Sequence, residues 1–182
     1  MDRREMERLC DRVVDGMDVP QDTGYRAMCQ KLGQTMSEVL GASVEVRFFT
    51  GRGTPLTGAT ARRADGTYLV FCVKTRSWYH RLGILLHEFA HILLGHEPVD
   101  VGGEDTVRRL APSLPRNMAR VIARRTTHSV AEEAGAEELA DLLIERLTER
   151  RTAHGPGLPG DSPHVLRAAE DLGLMERRRR AD

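Results

Sequence analysis

Cysteine is scarce and unpaired in this chain. Cys10, Cys29 and Cys72 are odd in number and widely spaced, with no CxxC pair. That argues against a disulfide framework and fits reduced, intracellular thiols, each flanked by apolar residues as small buried hydrophobes are. Net charge is missing too. Lysine plus arginine and aspartate plus glutamate number 27 each, so no overall field draws the chain to nucleic acid or an anionic membrane. No apolar run approaches the length that crosses a bilayer, and the charged start Met1–Arg8 has no apolar stretch behind it to make a signal peptide. The expectation is a cytoplasmic protein with no membrane partner.

What is present suits one domain. A chain of 182 residues buries about two-thirds of its unfolded surface on folding, so neither a disulfide nor a structural metal is needed to hold it together. Residues 1–150 form the expected domain, and 151–182 a loop plus a short basic C-terminal helix. Met6, Leu9, Val13 and Met17 make one helical stripe, and Tyr25, Met28, Leu32, Met36 and Leu40 a second, with Thr23 as its cap and Gly41 as its stop. Ser43–Phe49 and Tyr68–Val73 read as strands with a third short strand near Gly58–Arg62, and the turn signals between them suggest antiparallel pairing. Residues 97–112 read as a loop and 114–125 as a basic helix. Ser129 and Glu132 form a capping box that opens a helix running to about Arg150, and Val165–Met175 is a last short helix. The fold class is α+β: mostly helical, with a small antiparallel or mixed three-stranded sheet.

The chemistry concentrates at His87-Glu88-Phe89-Ala90-His91, an HExxH motif inside the apolar stretch Leu82–Leu94, a helix expected to begin near Ser77 and end at Gly95. Residues four apart stack on one helix face, so the two imidazoles can address one small cation, and Zn²⁺ takes nitrogen ligands readily. Glu88, beside the first ligand, stands where a general base belongs. A catalytic zinc needs a third protein ligand. The spacing that puts a third histidine six residues after the second fails here, because Gly95 and His96 follow His91 by four and five. His96 is expected to finish the helix, where it meets the negative end of the dipole. The helix after Ser129 offers Glu132 and Glu133, which border its apolar face (Ala136, Leu139, Ala140, Leu143, Leu147) about equally. Spacing does not choose between them.

HExxH followed by Leu94-Gly95-His96, then Glu133, Ala136, Leu139, Ala140 and Leu143 on a later helix, resembles the ImmA/IrrE-type metallopeptidases over roughly residues 25–147. The resemblance departs at Leu139, where the family has an aromatic, and in lacking the Met-Pro that often closes the segment. It implies a zincin-like fold with one Zn²⁺ per chain held by His87, His91 and Glu133, and Glu88 as the catalytic base. It also implies a protein substrate, commonly a helix-turn-helix repressor whose cleavage relieves repression, so roles in transcription regulation and stress response follow. Glu137, one turn after Glu133, either accepts a hydrogen bond from the outer nitrogen of a zinc histidine or is a solvated charge. His128, Tyr79 and His80 are candidates to stabilise the oxyanion. The rival reading is a non-catalytic zinc-binding regulator or toxin–antitoxin-type protein. Direct nucleic-acid binding is not expected: six arginines between Arg108 and Arg125 and the run Arg177–Arg180 lack interleaved aromatics.

Overall fold

Asp2 opens the first helix by accepting from the Glu5 backbone N–H at 2.8 Å, while the Glu5 carboxylate accepts from the Asp2 N–H at 3.0 Å. That reciprocal cap starts α1 (Arg3–Met17), whose stripe Met6, Leu9, Val13 and Met17 is buried in full. The computed structural model describes residues 2–18, 20, 23–50, 57–62, 65–96 and 128–152. The loop 97–112, the basic helix 114–125 with its arginines, and everything after Thr152, the terminal helix and arginine run included, lie outside these residues.

Helix α2 (Tyr25–Leu40) buries Tyr25, Met28, Leu32 and Met36, and Gly41 ends it in the left-handed region at φ 60°. Its cap is not Thr23 but Gly24, with no side-chain cap bond. The Thr23 N–H is turned back to the Pro20 carbonyl at 2.9 Å, which pushes the helix start one residue on.

The sheet corrects the expected strand pairing. Strands β1 (Val44–Phe49), β2 (Gly58–Arg62) and β3 (Tyr68–Val73) lie in the order β1-β3-β2. β2 pairs antiparallel to β3, from Gly58 opposite Cys72 to Arg62 opposite Tyr68, but β1 pairs parallel to β3, from Val44 opposite Tyr68 to Phe49 opposite Val73. The reason is burial. Leu69, Val70, Phe71 and Cys72 are buried in succession, so β3 must be covered on both faces and both edges, which the central position supplies. The tight turn at Asp65-Gly66 (Gly66 φ 88°) then joins β2 to β3 as a hairpin and leaves β1 the far edge.

Ser77 caps α3 (Trp78–Leu93) by accepting from the His80 N–H at 3.2 Å. Leu82, Leu85, Leu86 and Phe89 fill the core between α2, the sheet and α4 (Val130–Thr152). Ala136, Leu139, Ala140, Leu143 and Leu147 of α4 are buried against it. The two helices run in opposite senses. Gly83 faces Ile144, and Leu94 faces Gly135. This brings the first turn of α4 beside the second half of α3, which decides what the HExxH face meets. The chain is α+β, mostly helical, with a mixed three-stranded sheet against the HExxH helix. No described helix is long and apolar enough to cross a membrane, and the three cysteines are buried and form no disulfide.

Candidate metal centre

His87 and His91 lie one turn apart on α3, and their Nε2 atoms are 3.1 Å from each other. Glu133, in the first turn of α4, places Oε2 3.4 Å from His87 Nε2 and 3.7 Å from His91 Nε2. Three donor atoms from two helices therefore converge on one point. A tetrahedral zinc with bonds of about 2.0–2.1 Å separates its ligand atoms by about 3.3–3.4 Å, and the three observed spacings bracket that value. Two imidazole lone pairs and a carboxylate oxygen facing one another need a proton or a cation between them, so the donor set fits a small, nitrogen-preferring divalent ion.

The structure separates Glu132 from Glu133. The Glu132 carboxylate accepts from the Ser129 N–H at 2.8 Å and the Glu132 N–H donates to Ser129 Oγ at 3.2 Å, closing the capping box. Hydrogen bonds from the Ser129 backbone N–H and from the Ser129 side chain hold the Glu132 carboxyl below the usual carboxylate range. Glu132 serves the helix end, and Glu133 faces the histidines.

Glu88 is anchored to the sheet. It is 3 % exposed, and its Oε2 accepts from the Thr60 hydroxyl of β2 at 2.8 Å. Gly58, two residues earlier on the same strand, lies so close that an added Cβ would stand 2.5 Å from Glu88 Oε1. β2 thus holds the carboxylate in a shaped notch.

The other expected residues divide. His128 is at the site, its ring stacked on that of His91 with centroids 4.0 Å apart and planes 17° apart. Tyr79 is not. It packs edge-on to Tyr25 at 5.1 Å in the core, eight residues before His87, which is about 12 Å along a helix axis. His80 is exposed on that same first turn. Glu137 is exposed as well, because it falls about 100° round α4 from the buried Ala136. The group that reaches the outer nitrogen of His91 is instead His96, with Nδ1 3.0 Å from His91 Nδ1. Spacing gives His96 a helix-ending role, with a ligand role disfavoured by the register, and gives Thr60 none.

Compared with known families, curated proteins and solved structures, the chain has no match. What fold and geometry define is an α+β chain with a two-histidine, one-glutamate cluster suited to a metal ion.

Proposed function

We propose that this chain is a cytoplasmic zinc-dependent endopeptidase of the ImmA/IrrE type that cuts a protein substrate, with a helix-turn-helix repressor as the expected target. The observation that carries the reading is the convergence of His87 Nε2, His91 Nε2 and Glu133 Oε2 at ligand spacing. When bound, Zn²⁺ would polarise a peptide carbonyl and bring the pKa of water at its open position towards about 7. His87 and His91 would hold it from α3 and Glu133 from α4. Glu88 takes the proton from the attacking water on its carboxylate and returns it to the leaving amine. Thr60 fixes one oxygen of that carboxylate, which limits the directions the other can take. His128, against the face of His91, is the one oxyanion candidate that lies at the cluster.

The test is hydrolysis of candidate repressor proteins by the purified chain, with and without a chelator and with Glu88→Gln. Activity that survives the chelator rejects the metal mechanism.

One observation favours the rival, a non-catalytic zinc-binding regulator: Glu88 is buried and tied to Thr60 instead of standing open to solvent. The two readings separate in cells. The rival requires Glu88→Gln to keep function while His87→Ala loses it through lost metal and stability; the peptidase loses function with either.

A further inference from the structure

The end of α3 is a Schellman turn. Gly95 adopts φ 74°, its N–H donates to the Ile92 carbonyl at 3.0 Å, and the His96 N–H donates to the His91 carbonyl at 2.9 Å. In this turn the residue after the glycine folds back over the residue five before it, and the two side chains usually make an apolar contact. Here those residues are His96 and His91, and the contact is polar, Nδ1 to Nδ1 at 3.0 Å. His91 is 2 % exposed, and His128 lies flat against its ring.

Resting on the proposed metal site, we infer that His96 is a positioning residue that holds His91 as the Nδ1–H tautomer. Two ring nitrogens at 3.0 Å share one proton. For His91 to present its Nε2 lone pair to a metal, that proton must sit on its own Nδ1, which makes His96 Nδ1 the acceptor and places the His96 proton on Nε2. The stacked ring of His128 holds the plane of His91 while the hydrogen bond selects its tautomer. The same three histidines do not form a second cation site. The rings of His91 and His128 are nearly parallel at 17°, so their in-plane lone pairs run side by side instead of meeting at one point. Gly95 belongs to the device, since an L side chain at φ 74° strains the turn that delivers His96.

The experiment measures zinc stoichiometry and affinity by competition with a chelating dye, and the His91 ring tautomer in the metal-free protein by ¹⁵N–¹H correlation. It compares the wild type with His96→Ala, His96→Asn and His96→Gln. Removing a group that orients a metal histidine weakens binding about 10–100-fold, which is the loss expected for His96→Ala at unchanged one-to-one stoichiometry. Asparagine puts an acceptor oxygen where Nδ1 stood and restores affinity. Glutamine, one methylene longer, reaches the Nε2 position and does not. His91 carries its proton on Nδ1 in the wild type and as a mixture in His96→Ala. Wild-type affinity in His96→Ala, or an Asn variant as weak as the Ala variant, overturns the inference. So does a second wild-type zinc that His96→Ala loses. If the wild type takes up no zinc, the metal reading fails by itself, and the His91 tautomer in the wild type and in His96→Ala still decides the role of His96.

Discussion

A single methyl group should have opposite effects at two glycines of this fold. Gly58 of β2 lies against the Glu88 side chain: an alanine Cβ there would stand 2.5 Å from Glu88 Oε1 and 2.9 Å from both Glu88 Cγ and Ile84 Cγ2. Carbon atoms in contact settle near 3.5–4.0 Å. The carboxylate tip could swing aside, but only by leaving the Thr60 hydroxyl, and the other two atoms sit close to the α3 backbone in a packed interior. Overpacking of this kind costs about 1–3 kcal/mol, and each kcal/mol lowers the melting temperature of a chain this size by about 2–4 °C. At Gly83, inside α3, the nearest atom to an added Cβ is Ile144 Cδ1 at 3.9 Å, an ordinary contact. Gly83→Ala should therefore stabilise by about 0.5–1 kcal/mol through the lower entropy of the unfolded chain and better helix propensity. Urea denaturation of both variants beside the wild type reads the two signs. The peptidase reading adds a second consequence, because displacing a catalytic base by about 1 Å can cost on the order of 100-fold in rate. If Gly58→Ala unfolds at the wild-type urea concentration, β2 does not close on Glu88 and the account of that carboxylate is wrong.

Two further outcomes follow from buried groups. Thr60→Val keeps the shape of the residue but removes the donor at 2.8 Å from Glu88 Oε2; leaving a buried acceptor without its partner costs about 1–3 kcal/mol, and a chemical-denaturation loss below about 0.5 kcal/mol would show that the bond does not anchor Glu88. Burial pushes the Cys10 thiol from 9.0 up to about 11 and the Cys72 thiol up to about 12. Both are raised, so their contribution to stability is complete below pH 9 and is lost as pH rises through about 11 and 12. A disulfide reagent at pH 8 should find no thiol in the native protein and three after denaturation, and rapid native labelling at Cys10 or Cys72 would contradict their burial.

Local rules made the helices readable. The α1 and α2 stripes, the Ser77 start, the Gly95 stop and the Ser129–Glu132 box all depend on residues within one or two turns of each other. The histidine pair was readable for the same reason. The choice of Glu133 was closer to hand than the wheel suggested: once Glu132 closes a capping box, it cannot also face the histidines. His96 was legible too, since a Schellman turn at Gly95 brings it over His91. Sheet order was not, because the parallel pairing of β1 with β3 follows from how deeply β3 is buried by distant helices. The Thr60–Glu88 bond spans 28 residues between β2 and α3, and no periodicity announces such a contact. Tyr79 has the hydroxyl an oxyanion donor needs, but the rise of α3 sets it well away from His87.

The most direct measurement is metal content by mass spectrometry of the purified wild type, Glu133→Gln and Glu132→Gln, each loaded with excess zinc and then desalted. One equivalent is expected in the wild type and in Glu132→Gln, whose carboxylate serves only the helix end, and a large loss in Glu133→Gln. A wild type that retains no stoichiometric metal, or a Glu133→Gln variant that retains as much as the wild type, contradicts the two-histidine, one-glutamate centre.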